Sequence, residues 1–317
     1  MKIGLLVDST CDLPDYMFGP NGITLMPCTV RIGGREIEDV RDEQQTIKLH
    51  NNELTERLDT FAESAPYSAD QIEKLVMERL VLEYDHVFCL TVTLSRSDTY
   101  KNAMEAARRM VSKYRAVRLA AGLSSRFSLV VINSRSIFTG QAVLATEIMR
   151  MIQADAKPSE IDLTINELVP HTYAYMVPPD LYFLYKRGVR RGDQSINWAG
   201  YTLGSFLDIK PIICGHMDDT GPVARLRKFD VAVNTMFANA TKAIKQGLLA
   251  PQVCVSYGGD PVLLEKMPGF AEMREAAQIR GISVLTSPMS MTGAVHVGPG
   301  GVSVAFISDR HHFEEHP

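Results

Sequence analysis

Three short apolar runs in the first half of the chain, Ile3–Val7, Val87–Thr91 and Leu129–Ile132, are each bounded by polar or turn residues, as buried strands are. Helical patterns separate them. Ser68 precedes Gln71 by three residues, the arrangement of a capping box, and Ile72, Leu75, Val76, Leu80 and Leu82 follow at roughly helical spacing. A second helix is expected from Ser97 through Met104, Ala107, Met110 and Val111 to about Tyr114, and a third after Thr139-Gly140 with Val143, Leu144, Ile148 and Met149. Strand–helix alternation of this kind predicts an α/β fold with a mostly parallel sheet covered by helices on both faces.

With 317 residues the chain exceeds one typical core. The segment Ala154–Pro158 interrupts the pattern, so two domains are expected: an N-terminal α/β domain over residues 1–157 and a C-terminal α+β domain over 158–317. In the second, helical stretches (Glu160–Leu168, Val231–Lys245, Asp260–Gln278) alternate with Val253–Tyr257, Ile282–Leu285 and Val302–Ile307, and Tyr201–Arg227 reads as a hairpin-like insertion. The tail His311–His316 resembles a metal tract but, at a chain end, is expected to be frayed. A formal charge of -4 argues against a general nucleic-acid binder. No apolar stretch approaches the roughly 20 residues that span a bilayer, and the N-terminal run meets Asp8 too soon for a signal peptide. Five scattered cysteines without a CxxC make disulfides or zinc unexpected and point to a reducing cytoplasm. Cys89 and Cys254 fall in strand-like runs as small core hydrophobes, whereas Cys11 lies in the loop after the first strand.

Several constellations could carry chemistry. Ser97-Asp98-Thr99-Tyr100 opens a helix after a strand, where sheet-end crevices bind ligands and free N–H groups favour anions. Glu63-Ser64-Ala65-Pro66-Tyr67-Ser68 similarly leads into a helix, and His296 precedes the turn Gly298-Pro299-Gly300-Gly301. Converging hydroxyls, N–H groups and an imidazole would seat a carboxylate. Ser97 and Ser68 equally suit plain N-caps. Asp8, Asp12 and Asp39 could suggest a divalent metal, but Asp8 and Asp12 are close together in sequence, and capping a turn at Pro14 is the expected role; no metal is expected. Ser9 or Ser97 with His296 and an aspartate suggests a hydrolase or acyltransferase, but no G-x-S-x-G elbow is present. Walker A and G-x-G-x-x-G motifs are absent. Gly258-Gly259-Asp260 reads as a strand-to-helix turn. Lys186, Arg187, Arg190 and Arg191 form the strongest basic cluster, either a solvated face or a contact for phosphate or an acidic partner.

Asp8-Ser9-Thr10-Cys11-Asp12-Leu13-Pro14, Ser97-Asp98-Thr99-Tyr100, Lys186-Arg187-Gly188-Val189-Arg190, Ile209-Lys210-Pro211-Ile212 and His296-Val297-Gly298-Pro299-Gly300 occur in that order, and over nearly the whole chain the sequence resembles the DegV family of bacterial fatty-acid-binding proteins. The resemblance implies two α/β domains with a lipid cleft between them, a cytoplasmic carrier of a long-chain fatty acid without a cofactor or catalysis of its own, and a separate ATP-dependent fatty acid kinase that phosphorylates the carboxylate for phospholipid metabolism. It allows transient contact with a membrane. By position, Ser97 and His296 match the groups that contact the carboxylate. Ser64 stands where threonine is usual, and Arg227 matches an arginine associated with kinase docking, beside Arg190 and Lys186. Three strings depart from the family: T-S-Q-P-S is here Ser64-Ala65-Pro66-Tyr67-Ser68, G-G-R is Gly188-Val189-Arg190, and S-G-T-Y carries Asp98 for glycine. A carboxylate there would oppose an anionic ligand by on the order of one to a few kcal/mol if it faced the seat; an outward orientation, supporting the helix macrodipole, is expected. A carrier of another apolar carboxylate or lipid is the alternative that Asp98 raises.

Overall fold

The apolar runs of the first half are strands; Ile3–Asp8 and His86–Thr91 are buried on both sides and the edge strand Ser128–Asn133 is partly buried. The computed structural model describes residues 1–20, 22–53, 62–124, 126–181, 208–309, 311–315 and 317. In it, β1 (Ile3–Asp8), β2 (Thr24–Met26), β6 (His86–Thr91) and β7 (Ser128–Asn133) form an all-parallel sheet in the order β2-β1-β6-β7. Strand alternation divides their side chains. Leu5, Val7, Phe88, Leu90 and Ile132 enter one core, and Leu6, Val87 and Cys89 enter another with Ile72, Val76, Ala103 and Ala106. The helices Ala69–Leu75 and Thr99–Met110 cover that second face. Ser68 caps the first through the expected box: Gln71 N donates to Ser68 Oγ at 3.3 Å and Ser68 N to Gln71 Oε1 at 2.9 Å.

The helix Thr139–Gln153 is buried on all sides from Thr139 to Ile148, the state of a core helix rather than a surface one. Its side chains join Leu5 and Val7 of the parallel sheet to Ala174, Cys254 and Ala305 of a second sheet. The second sheet contains β8 (Thr172–Val177), β9 (Ile209–His216), β10 (Asp219–Arg227), β11 (Gln252–Tyr257), β12 (Ser283–Pro288) and β13 (Val302–Ile307), ordered β10-β9-β8-β13-β11-β12. Its pairs are antiparallel except β11 with β12. Tyr175, Val177, Val255 and Phe306 on its far face pack against the helices Phe229–Gln246 and Phe270–Ile279. Residues 154–158 connect Thr139–Gln153 to the helix Pro158–Leu168, after which the chain enters β8.

Four features differ from expectation. A third, antiparallel sheet, β4-β3-β5, is made by β3 (Cys28–Ile32), β4 (Arg35–Asp39) and β5 (Ala62–Ala65). Gly33 and Gly34, at φ 58° and 81°, form its hairpin turn, which requires the left-handed region at both positions. The segment Glu63–Ala65 is therefore strand rather than a helix lead-in. The stretch Asp260–Gln278 is divided into a 3-10 turn, Pro261–Lys266, and the helix Phe270–Ile279, with Gly269 at φ 81° between them. The tail is docked rather than frayed as far as Glu315 is described. His311 is buried edge-on against Phe306 at 4.8 Å, Phe313 lies 5.1 Å from Tyr175, and the Asn239 amide exchanges two hydrogen bonds with the backbone of Glu314, at 2.8 and 2.9 Å. Those contacts offset the chain-end entropy that fraying would release. The hairpin of the second half is β9–β10, turning at Met217-Asp218; residues 201–207 of the expected insertion lie outside the described residues. All five cysteines are free, with Cys89 and Cys254 fully buried.

The central helix leaves no room at its first turn. A Cβ on Gly140 would stand 2.0 Å from Ser136 Oγ and 2.9 Å from the Ala174 Cβ, and Ser136 Oγ donates to Gly215 O at 3.0 Å. Gly140→Ala is expected to lower stability by about 1–3 kcal/mol, despite alanine's better helix propensity. Denaturant melts of the two proteins check this, and an unchanged or higher midpoint would show that the two sheets yield at this contact.

Candidate functional site

β5 pairs with β3 so that Ser64 lies opposite Val30. On this small sheet packs the helix Met291–Val297, with Met291, Ala294 and Val295 against Val30, Ile32, Leu49 and Ala62. The packing brings Ser64 Oγ to 2.9 Å from His296 Nε2, with both side chains half-buried. Two candidate residues separated by 232 positions thus form a direct hydrogen bond.

The N-terminus of that helix is held by carboxylates from elsewhere in the chain. Asp39, at the end of β4, accepts from Thr292 N at 2.8 Å and Thr292 Oγ1 at 2.7 Å through one oxygen. Asp12, in the loop after β1, accepts from Ser290 N at 2.9 Å and from Ser256 Oγ at 2.6 Å. Arg41 is buried between them. One of its amino groups lies 3.4 Å from Asp12 Oδ1, and the other donates to Leu13 O and Pro288 O, each at 3.0 Å. His50 Nε2 donates to Met289 O at 2.9 Å. Ser290 Oγ caps the helix by accepting from Gly293 N at 3.0 Å. Beyond the helix, the turn after His296 interlocks with Gly258: Gly258 N donates to Gly301 O and Gly300 N to Gly258 O, each at 2.7 Å. A Cβ on Gly258 would stand 2.8 Å from Gly300 N, so glycine is needed for that close approach.

The three buried carboxylates have separate partners. Asp8, Asp12 and Asp39 do not converge on one ion. Asp8 accepts from Val92 N at 2.8 Å, Thr10 N at 3.0 Å and the Gln141 amide at 3.2 Å, while the other two hold the helix. No group of His, Cys, Asp or Glu among the described residues could hold a metal ion. Asp12 also binds far from the Pro14 turn it was expected to cap. Burial pushes all three carboxyls upward, opposed by the Arg41 guanidinium at Asp12 and Asp39 and by the Thr10 hydroxyl at Asp8.

Ser97 ends the loop before the helix Thr99–Met110. Its hydroxyl lies 2.8 Å from Thr99 Oγ1 and accepts from Thr99 N at 3.3 Å, so it is engaged with the first turn of its own helix. Asn102 Nδ2 donates to Tyr67 O at 2.8 Å, which ties this helix to the segment leaving β5 and hence to the Ser64 side of the site. Asp98 points outward, with its carboxylate 66% exposed and 2.9 Å from Lys101 Nζ. Arg227 is exposed at the end of the edge strand β10. Lys186, Arg187, Arg190 and Arg191 lie outside the described residues. Of the residues that aim His296, the sequence singled out Asp39 in another role, and Arg41, His50, Ser290 and Thr292 were missed. Ser290 with Gly293 three residues later was the one local cap signal.

A parallel sheet packed through a buried helix onto a mixed sheet, with a hydroxyl–imidazole pair beside buried carboxylates, defines an α/β protein. The family model described as "Uncharacterised protein, DegV family" matches residues 2–309, and the chain belongs to the DegV family. A DegV domain-containing protein of Xanthomonas campestris pv. campestris is 40% identical over 313 residues, covering 99% of each chain. Among solved structures, the fatty-acid-binding DegV family protein of Thermus thermophilus has a TM-score of 0.73 at 21% identity, covering 97% of this chain and 100% of that one. The Streptococcus pneumoniae Fatty Acid Kinase (Fak) B3 protein loaded with linoleic acid has a TM-score of 0.73 at 15% identity, covering 98% and 100%. A stearic acid-binding protein of Eubacterium ventriosum has a TM-score of 0.73 at 19% identity, covering 96% and 98%. At these identities the structural likeness establishes the fold. Among the described residues no helix is long and apolar enough to cross a membrane.

His50 should cost the fold stability as pH falls. Burial pushes the His50 imidazole down to about 4, against about 6.5 in an unfolded chain. The unfolded state therefore binds the proton first as pH falls through that interval, and stability present above pH 6.5 is lost towards pH 4. The loss attributable to His50 should reach roughly 3 kcal/mol by pH 4. His50→Gln retains an N–H donor for Met289 O and does not titrate. Melts across this range should show a shallower acid slope in the variant; parallel curves would remove His50 from the acid response.

Proposed function

We propose that this protein is a non-catalytic carrier that binds a long-chain fatty acid and presents its carboxylate to a separate ATP-dependent fatty acid kinase. The observation that carries the reading is the 2.9 Å hydrogen bond between Ser64 and His296, in a chain whose family includes fatty-acid-binding structures. Ser64, Ser97 and His296 form the carboxylate seat: two hydroxyls donate to the anion, and the imidazole donates once Ser64 turns towards the ligand. The acyl tail lies in a cleft between the N-terminal domain, residues 1–157, and the C-terminal domain, residues 158–317. Each buried methylene contributes roughly 0.8 kcal/mol, so the chain supplies the affinity and the seat fixes orientation. Arg227, Lys186 and Arg190 are the residues assigned to contact with the kinase. The five free thiols suit a reducing cytoplasm.

A second reading follows from the same bond. A serine within hydrogen-bond reach of an imidazole satisfies the first geometric requirement of a nucleophile and base. Ser64, however, lies inside an antiparallel strand, whereas hydrolase nucleophiles of α/β proteins sit on a strained strand-to-helix turn. Turnover of a simple ester that disappears in Ser64→Ala would establish the hydrolase and overturn the carrier.

Mass spectrometry of denatured, purified protein should release a non-covalent long-chain fatty acid. Ser97→Ala and His296→Ala should each weaken fatty-acid binding by about tenfold, the equivalent of roughly 1.4 kcal/mol. Asp98→Gly should leave affinity within about twofold of the parent, since an exposed charge paired with Lys101 is screened from the seat. Failure to extract lipid, together with failure of added fatty acid to bind, would reject the carrier.

A further inference from the structure

The loop that delivers Ser97 is held from the second sheet. Met217 and Asp218, the two turn residues of the β9–β10 hairpin, both adopt the left-handed region, at φ 53° and 68°, a conformation costly for residues with a Cβ. What offsets that cost is the Asp218 carboxylate. Its Oδ1 accepts from Thr93 Oγ1 and from Asn133 Nδ2, each at 2.8 Å, and its Oδ2 accepts from Arg135 Nε at 2.5 Å. The Asn133 amide oxygen in turn accepts from Leu94 N at 3.2 Å. Thr93 Oγ1 also lies 3.1 Å from Ser95 Oγ, and Arg96 donates to Thr220 O of the same hairpin at 3.1 Å. Thr93 and Arg96 are thus bonded directly to the hairpin and Leu94 through Asn133, and Ser97 is the next residue.

We propose that Asp218 is the positioning residue of the carboxylate seat: from the tip of the β9–β10 hairpin it sets the conformation of Thr93–Arg96 and so the place of the Ser97 hydroxyl. The inference rests on the carrier reading and adds to it a residue that does not touch the ligand. The helix start restrains Ser97 from its C-terminal side through Thr99. Thr93 is itself buried and its N–H donates to Ser136 O at 3.0 Å, but Leu94 and Ser95 are exposed, and without the Asp218 clasp they are free to sample other conformations, which lowers the fraction of molecules with the seat assembled.

The test is a double-mutant cycle on delipidated protein, with oleate affinity measured by calorimetry and folding by thermal melts. Asp218→Asn keeps the shape and removes the charge that pairs with Arg135. It should weaken oleate about tenfold, the scale of one charge-assisted hydrogen bond. Thr93→Val removes a single hydroxyl from the clasp and should weaken oleate in the same direction. In a Ser97→Ala background both losses should disappear, because the residue being positioned is gone. Independent, multiplicative losses would show that Asp218 supports the fold generally and would overturn the inference. Loss in Ser97→Ala with wild-type affinity in both Asp218→Asn and Thr93→Val would overturn it while leaving the carrier intact. Wild-type affinity in Ser97→Ala would remove the seat itself, and the inference with it.

Discussion

The contact on which the site depends is the grip of Asp39 on Thr292. A carboxylate at the end of β4 accepts both the backbone N–H and the hydroxyl of the second residue of the helix Met291–Val297. It satisfies a donor that the first turn of any helix leaves without an intrahelical partner, and its charge complements the positive end of the helix. Asp39 is fully buried, which is tolerable only because its lone pairs are met and the Arg41 guanidinium is nearby. Asp12 repeats the arrangement one step earlier, at Ser290 N. The two carboxylates come from separate N-terminal segments, so the helix carrying His296 is assembled only when the first and last fifths of the chain meet.

The parallel sheet would ordinarily offer its ligand site between β1 and β6, where the chain winds to opposite sides and the carboxyl ends of the strands open a crevice. Here protein groups fill that place. Asp8, the last residue of β1, reaches across to Val92 N just beyond β6, and Gln141 from the central helix donates to Asp8 and to Leu90 O. With the crevice bridged by a buried carboxylate, the hydroxyl–imidazole pair stands on the small antiparallel sheet instead. The central helix that carries Gln141 also sends Thr139 Oγ1 to Ser303 Oγ at 2.7 Å. It therefore links the parallel sheet to the mixed one by polar as well as apolar contacts.

The parts of the fold legible in the sequence were those with a period. β1, β6 and β7, the helices Thr99–Met110 and Thr139–Gln153 and the Ser68 capping box all carried local signals, since a buried strand or an amphipathic helix advertises its partners through spacing. The antiparallel sheet carried a signal that was passed over: Val30 and Ile32 alternate with Thr29 and Arg31 before the Gly33-Gly34 turn. Candidate residues Ser64, Ser97 and His296 were named from residue type and family likeness. Asp39 and Arg41 could not be placed that way. A buried carboxylate that caps a helix 253 residues away looks in the sequence like any acid near a turn. The docked tail was misread for a related reason. His311 and Phe313 find Tyr173, Tyr175 and Phe306 only after β8 and β13 are adjacent.

Apolar packing alone would not give the Ser64–His296 pair its geometry. The cluster between the helix Met291–Val297 and the small sheet is made of aliphatic side chains, with Val30, Ile32, Leu49 and Ala62 facing Met291, Ala294 and Val295. Such contact is non-directional, and the helix could slide or roll on it by a fraction of a turn at modest cost. Hydrogen bonds tolerate far less displacement. Asp39 at Thr292, Asp12 at Ser290, His50 at Met289 and the Gly258 clasp on Gly300 fix the helix at both ends. Thr292 and His296 are four residues apart and so share one face of the helix. A carboxylate that pins the first therefore sets the azimuth of the second, and the 2.9 Å contact with Ser64 follows from where Asp39 stands.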